Sequence, residues 1–533
     1  MIDKQKRDFA YRLFQCLVAS KRRLRVEELA ELFAIQPSVG TIPTFDAGLR
    51  PEDPEEFVLS ACSTLVAVVN VGGQQIVQFS HFSVREYLIS DRIANCEHRD
   101  VSCFHILPRP AHALLATTCL SVLLQLDDRV DRDKIRNFPL ALYAAEYWVD
   151  HAQFENVSSD FQDGIKCLFD RNKPHFATWL WLYNIDDSSK LYITAVRPAQ
   201  PYAVPLYYAA LCGFRDVAEH LVDIYPQDVN ARGGKRVTPL HVAVDKGHLK
   251  VARLLVERGA DMGSRSSRSV TPLHIASYRG YHGVVSLLVG RGACPNAEEC
   301  DRETPLHLAS ERGHDEVVRL LLDHGSLANH PNNRGWTPLH VASENGHNGT
   351  VQLLLDHGAA PNHPDNRGWT PLHLASESGH DETIRLLFNH GADPNHQDNR
   401  RLTPLHLASL QGHNDTIQLL LDHGAVVNHP DDRGRVPLHL ASLRGHDSTV
   451  QLLLDRCAIT NYPDSFGLTP LHVASREGYD NIVQLLLDHG ALANLQDSYG
   501  LTPLGLASRA GRDSVVRLLL YHCAKGNHPD NCG

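Results

Sequence analysis

Along the second half of the chain, two kinds of apolar pattern alternate, separated by short polar turns. One is a compact run rich in small side chains, such as Pro371-Leu372-His373-Leu374-Ala375-Ser376, ended by a glycine (Gly379 here; Gly346 and Gly412 in neighbouring units). The other has helical apolar spacing, as at Val351, Leu353, Leu354 and Leu355, and stops at the Gly of Asp-His-Gly-Ala. Glycine suits a left-handed residue just past a helix end, so each pattern predicts one helix. The Asn-His-Pro-Asp-Asn-Arg-Gly stretch that follows is made of turn formers and predicts a connecting hairpin. Thr-Pro-Leu-His opens the unit at Thr238, Thr271, Thr304, Thr337, Thr370, Thr403 and Thr469, with degenerate copies at Val436 and Thr502 and a worn one at Val204. From Thr238 to Thr502 the spacing is 33 residues without a slip, giving about ten units. Thr is a good N-cap and Pro at the next position is set for a helix start; His at the fourth position can bond back to the Thr. One helix pair cannot bury its apolar face alone, so the units must stack. The prediction is a mainly α chain, with an α-solenoid over residues 201–533.

The first two hundred residues do not repeat. Phe9 to Ala19 and Val26 to Phe33 have helical spacing, and a Pro-punctuated loop follows. Asp53-Pro54-Glu55-Glu56 is an N-cap with Pro at N1 and opens a third helix. Leu65 to Asn70 and Gln75 to Ser80 read as strands flanking Gly72-Gly73, a β-hairpin signal. Ser83-Val84-Arg85-Glu86 reads as a capping box restarting a helix at Tyr87 and Leu88. Three helices and a hairpin make a winged-helix pattern over residues 1–100, followed by a helical connector over 101–200. The longest apolar stretch, Ala113 to Leu126, is shorter than the roughly 20 residues a membrane span needs and predicts a core helix.

Charge decides among functions. The 533 residues carry 51 Lys+Arg against 62 Asp+Glu, a net charge of −11, which argues against general nucleic-acid binding. A winged helix suggests DNA, but the third helix opens with Glu52, Asp53, Glu55 and Glu56, and the second carries Glu27, Glu28 and Glu31. Carboxylates facing phosphates repel, while the basic residues Lys21, Arg22, Arg23 and Arg25 are confined to one turn. The 12 cysteines are scattered without a Cys-x-x-Cys, and the start lacks a signal-peptide core, so a reduced, cytoplasmic protein without a membrane span is expected. The 33 histidines invite a metal reading. Equivalent histidines in stacked units would stand roughly 8–10 Å apart, too far to converge at about 2 Å on one ion, and no metal or other cofactor is predicted.

The repeated Thr-Pro-Leu-His units resemble the ankyrin repeat. That resemblance implies a curved solenoid that binds protein partners with hairpin tips and the concave helix face, and it implies no catalysis. Positions that vary between units are then the partner-binding candidates. On the tips these are Arg334, Trp336, Arg367, Trp369, Arg400, Arg401, Arg433, Arg435, Phe466 and Tyr499, residue types enriched in interface hot spots. At the first-helix ends they are Glu344, Glu377, Leu410, Leu443 and Arg444. The competing reading has the tip arginines solvating a ridge and the Trp rings packing on neighbouring tips. Unit eight has two flaws: Val436 lacks a capping hydroxyl, and Cys457 stands where a left-handed Gly is expected, so residues 430–460 are predicted to be the weakest link.

A second resemblance lies in Phe79-Ser80-His81-Phe82-Ser83-Val84-Arg85-Glu86-Tyr87-Leu88. With Arg23-Leu24-Arg25-Val26-Glu27-Glu28-Leu29-Ala30 before it, the stretch resembles the winged-helix segment after the NACHT ATPase of fungal-type STAND (NLR-like) proteins. That likeness implies a role for His81 near a nucleotide phosphate, provided a NACHT domain is present upstream; the alternative is a buried core histidine. No Gly-x-x-x-x-Gly-Lys-[Ser/Thr] occurs in the chain, so such a domain is expected before Met1, and the abrupt end at Asn-Cys-Gly suggests a cut there too. The expected function is a non-enzymatic interaction module, the sensing half of such a receptor. A stand-alone ankyrin scaffold, adaptor or decoy is the alternative.

Overall fold

In the computed structural model the chain is mainly helical, and residues 7–36, 44–131, 133–183, 185 and 201–522 are described. The Pro-punctuated loop at 37–43, the end of the connector at 186–200 and the final 523–533 lie outside the described residues. The chain divides into two compact units, Met1–Ser266 and Ser267–Gly533.

The first unit opens with α1 (Arg7–Ala19) and α2 (Val26–Glu31). The two-residue strands β1 (Ile35–Gln36) and β2 (Thr44–Phe45) pair antiparallel and precede α3 (Pro54–Cys62). As the sequence predicts, Asp53 caps α3, its Oδ1 accepting the Glu56 N–H at 2.9 Å. The hairpin of β3 (Val66–Val71) and β4 (Gln74–Phe79) pairs Val71 with Gln74, so Gly72 and Gly73 form a two-residue turn. Their φ values of 60° and 83° are those of a type I′ turn, which only glycine adopts cheaply at both positions. A bridge from Arg25 to Ile76 lays the segment before α2 against β4. Phe14 of α1 is buried against the rings of Phe79 and Phe104, at 6.0 and 5.9 Å. The capping-box reading at Ser83 is corrected by two residues: α4 spans Phe82–Leu88, and His81 is its N-cap.

The connector places helices Pro108–Leu123, Ala141–Gln153, Gln162–Leu168 and His175–Leu182 around an aromatic core. Trp148 and Trp179 are fully buried with ring centroids 5.4 Å apart, and Trp148 stacks on Phe214 at 5.3 Å. Because Phe214 and Tyr208 belong to the Val204 unit, the connector and the first repeat share one core. Among the described residues no helix is long and apolar enough to cross a membrane.

The second unit is eight helix pairs, from Pro272–Arg279 with His282–Gly290 to Pro503–Arg509 with Asp513–Tyr521. With the pairs at Pro205–Leu211/Arg215–Ile224 and Pro239–Asp245/Leu249–Glu257, ten pairs follow the predicted period. Gly346 closes its first helix at φ 69°, and a Cβ there would stand 2.6 Å from the His380 ring of the next repeat. Both conformation and neighbour therefore demand glycine. The tips differ from expectation in one respect: no strand occurs in the array among the described residues. From Glu299 on, each tip is instead a turn wound around an acidic or amide side chain. Asp365 Oδ1 accepts the N–H groups of Arg367 and Trp369, both at 2.7 Å, and two backbone bonds, Asp365 N–H to Trp369 O and Gly368 N–H to Asp365 O, close the loop.

Candidate partner-binding face

The array is held by ladders of side-chain bonds, and these decide which side chains remain available. In the Thr-Pro-Leu-His turn, His340 Nδ1 accepts the Thr337 N–H at 3.1 Å and lies 2.8 Å from Thr337 Oγ1. Its Nε2 is then the donor and reaches Trp369 O in the next repeat at 3.0 Å. His307, His373, His406 and His439 repeat this bond to Trp336, Leu402, Arg435 and Leu468. Burial pushes these imidazoles down, to about 4 for His307, His340 and His406 and about 3 for His373, so they are neutral staples with one defined tautomer. A second histidine points the other way: His347, His380 and His413 each place Nε2 at 3.0 Å from a carbonyl of the preceding repeat, on Glu311, Glu344 and Glu377. Both nitrogens of the capping histidines are occupied, and among the described residues no group of three or more His, Cys, Asp or Glu is placed to hold a metal.

Two further ladders escaped the sequence reading. Asn362 donates Nδ2–H to Gly391 O at 2.9 Å and accepts the Asp393 N–H at 2.8 Å, and Asn329, Asn395 and Asn428 do the same one repeat apart. Buried Thr350, Thr383, Thr416 and Thr449 each donate to Asp or Asn at the start of the previous second helix. Exact repetition of these Asn and Thr residues every 33 positions was the available signal.

The tip residues divide into two groups. Trp336, expected as a partner contact, is only 7% exposed: it packs with Val341, Leu374 and Trp369, and its Nε1–H donates to Asp365 Oδ2 at 2.9 Å. Trp369 is half-buried and makes the equivalent bond to Asp398 at 2.9 Å. The rings are thus bridges between successive tips, because an indole N–H drawn off water must find an acceptor. Arg334 and Arg367 are exposed and lie over Trp336 and Trp369, their guanidinium carbons 5.6 and 4.4 Å from the rings. Arg400, Arg401 and Arg433 are exposed, whereas Arg435 is tied to the buried Asp431 carboxylate at 2.7 Å. Phe466 and Tyr499 are 50% and 53% exposed. At the first-helix ends Glu344 and Arg444 are exposed, and Glu377, Leu410 and Leu443 are partly so. Burial raises the Glu344 carboxyl, with Arg334 and Arg367 opposing it.

In the first unit His81 is exposed, which excludes the buried-core reading. As an N-cap its Nδ1 accepts the Ser83 N–H at 3.2 Å, and its ring lies 4.5 Å from Phe82, itself 70% exposed. Beside it, Phe14, Leu65, Val84, Tyr87 and Leu88 line a cavity of about 570 Å³. The expectation that Glu28 and Glu31 face outward is corrected. Both are buried; Glu28 pairs with Arg22 and Arg25 at 2.6 and 2.9 Å, and Glu31 with Arg50. Burial works to raise the Glu28 carboxyl, but the hydrogen bonds and charges of Arg22 and Arg25 outweigh it and hold it below the usual range. Two of the four basic residues of that turn are therefore already engaged, while Glu52, Asp53 and Glu56 keep the exposed side of α3 acidic.

Comparison with known proteins gives the same frame. A family model described as ankyrin repeats (3 copies) matches residues 198–266, 259–331, 326–398, 390–464 and 457–530. The "Azaphilone pigments biosynthesis cluster protein L" of Monascus ruber is 32% identical over 277 residues, 49% of this chain and 57% of that protein. "Alpha-latrocrustotoxin-Lt1a" of Latrodectus tredecimguttatus is 32% identical over 126 residues, 23% of this chain and 8% of that one. The chain thus spans just over half of the first relative and a small part of the second.

Proposed function

The chain belongs to the ankyrin-repeat family, and from that premise we propose that it is a non-catalytic protein-interaction module, the ligand-sensing and signal-transmitting half of a NACHT–ankyrin STAND receptor-like protein. One observation carries the interaction reading. The frame atoms of the array are consumed by its own ladders, while the tip and first-helix-end side chains vary from repeat to repeat and stand largely exposed. Such a surface offers recognition without any paired nucleophile and base.

The receptor reading is supported by the helix–helix–helix–hairpin order of α1 to β4, which fits a winged helix. His81, exposed at the start of α4 beside an apolar cavity, fits a phosphate contact from a NACHT domain lying outside this sequence. The Monascus ruber relative is compatible with this context. Action in the cytoplasm, on protein partners rather than nucleic acid or membrane, accompanies the reading. The second reading is a stand-alone ankyrin scaffold, adaptor or decoy that works without a nucleotide switch. Mapping the 5′ end of the natural transcript separates the two: an in-frame phosphate-binding loop upstream supports the receptor, and a start at Met1 supports the scaffold. Hydrogen exchange on the chain with a captured partner tests the shared premise. Protection at the tips and first-helix ends is expected; protection confined to other surfaces, or a hydrolase activity of the purified chain, would overturn it.

A further inference from the structure

The connector meets the first repeat through a short loop, and that loop brings a thiol and an amine together. Helix Gln162–Leu168 ends just after Cys167, and the chain returns through Phe169-Asp170-Arg171-Asn172-Lys173 to helix His175–Leu182. Asp170 shapes the return. Its Oδ1 accepts the Asn172 N–H at 2.9 Å, and its carbonyl accepts the Lys173 N–H at 3.1 Å; an aspartate bonded to the N–H two residues on is a turn former. The turn folds Lys173 back onto the helix end, where its Nζ–H donates to Cys167 Sγ at 3.0 Å. The hydrogen bond and the charge at the sulfur hold the Lys173 ammonium above the usual lysine range. Cys167 is only partly buried and Lys173 is exposed, so the pair lies at the surface.

The same loop holds the array. Arg171 pairs with Asp228 at 3.4 Å and lies over the Tyr225 ring at 4.7 Å, and Asn172 Nδ2–H reaches Tyr225 Oη at 3.4 Å. From the start of the same helix Gln162 donates to Asp216. Asp216 lies in the first turn of the second helix of the first repeat, and Tyr225 and Asp228 follow that helix.

We propose that Cys167 and Lys173 form an oxidant-sensitive modification site, at which hydrogen peroxide links Cys167 Sγ to Lys173 Nζ and fastens the loop that holds the first repeat. Oxidant-sensitive cysteines are accessible thiols beside cationic groups, and a nitrogen at hand converts their sulfenic acid into a sulfenamide. In the first step Cys167, reacting as the thiolate, attacks one peroxide oxygen and the O–O bond breaks. The departing hydroxide takes a proton from the Lys173 ammonium, leaving a sulfenic acid, a neutral amine and one water. In the second step that amine attacks the sulfur. An N–S bond forms, the S–O bond breaks, and the hydroxyl leaves as a second water with a proton from the amine. The cysteine and lysine together give up two electrons, which reduce one peroxide. Nitrogen and sulfur at 3.0 Å already stand at near-attack distance.

The test uses the full chain, treated with hydrogen peroxide, alkylated, and digested with trypsin without reduction. Cleavage after Arg171 leaves the Cys167 and Lys173 peptides joined only by the new bond. Mass spectrometry should find that joined pair, lighter than its parts by two hydrogens and separated by dithiothreitol. K173R keeps the charge but supplies no attacking amine. It should abolish the joined pair and leave Cys167 open to dimedone, which traps sulfenic acids. Hydrogen exchange at residues 215–230 should slow in the linked chain. The proposal is overturned by absence of the joined pair, by its persistence in K173R, or by unchanged exchange at 215–230. Formation at the same rate in urea would also overturn it, because the bond would then need only nearness in sequence and not the fold.

Discussion

Repeats five and six and repeats seven and eight share one frame and differ in what they leave over. In the first pair each tip carries a Trp whose N–H is spent on the next tip's aspartate and an Arg laid over that Trp, and both tip arginines act on the Glu344 carboxyl. In the second pair Leu402 and Arg435 take the Trp position and Leu410 and Leu443 take the Glu position; Arg435 is tied to Asp431, while Arg400, Arg401 and Arg433 have no carboxylate within ion-pair distance among the described residues. One pair satisfies its polar groups internally and the other presents them. A solenoid frame built from side-chain-to-backbone bonds tolerates both, because the histidine and asparagine bonds that join every pair of these repeats involve none of the varying groups.

The largest effect expected is on the shared frame. The capping histidines have imidazoles held near 3 to 4 by burial, against about 6.5 when unfolded. Their folded values are depressed, so the stability they contribute is fully present above pH 6.5 and is lost as the pH falls toward 4. Each neutral staple should contribute a slope of about 1.4 kcal/mol per pH unit in that window. Urea midpoints measured from pH 7 to 4.5 should fall steeply; a flat profile would mean the histidines are not buried neutral.

Trp336→Ala comes next, with an expected loss of about 3–5 kcal/mol from the buried ring and an orphaned Asp365 oxygen. Trp369→Ala, at a half-buried ring, should cost less. Equal costs in equilibrium unfolding would contradict the difference in burial between the two tips. In repeat eight, Cys457 adopts φ 66°, the left-handed conformation expected at a glycine position, and Val436 leaves His439 without a hydroxyl partner. Cys457→Gly should therefore stabilise by about 1–2 kcal/mol, and Val436→Thr by about 0.5–2 kcal/mol. Hydrogen exchange should show residues 430–460 opening before repeats five and six in the parent chain, and uniform protection would remove this asymmetry. The smallest change belongs to Arg433→Glu, which should shift stability by less than about 0.5 kcal/mol. A large loss in thermal unfolding would reveal a structural partner for Arg433 and erase the contrast between a satisfied and a presented tip.

What could be read in advance was local. Thr, Pro and His within four residues specify a capped helix start, and Gly at a helix end specifies a left-handed turn; both recur at the positions foreseen. The β3–β4 hairpin followed from Gly72-Gly73 to within one residue at either strand. What could not be read was direction. Glu28 and Glu31 lie on α2 at helical spacing, and only packing against the rest of the first unit turned both inward onto Arg22, Arg25 and Arg50. His81 has Phe79 and Phe82 as sequence neighbours, a pattern that suggests a core, yet it caps a helix at the surface.

The sequence by itself therefore determined the period, the helix pairs, their caps and the need to stack, since these depend on residues a few positions apart and on apolar faces that one pair cannot bury. Tertiary structure alone decided what each repeated polar side chain reaches. The histidine, asparagine and tryptophan bonds join residues 29 to 36 positions apart. Such bonds exist only when stacking sets one repeat against the next at a particular distance and rotation. That placement buried Trp336, left Arg400 and Arg433 without an ion-pair partner among the described residues, and so separated the residues that build the array from those that stand exposed on it.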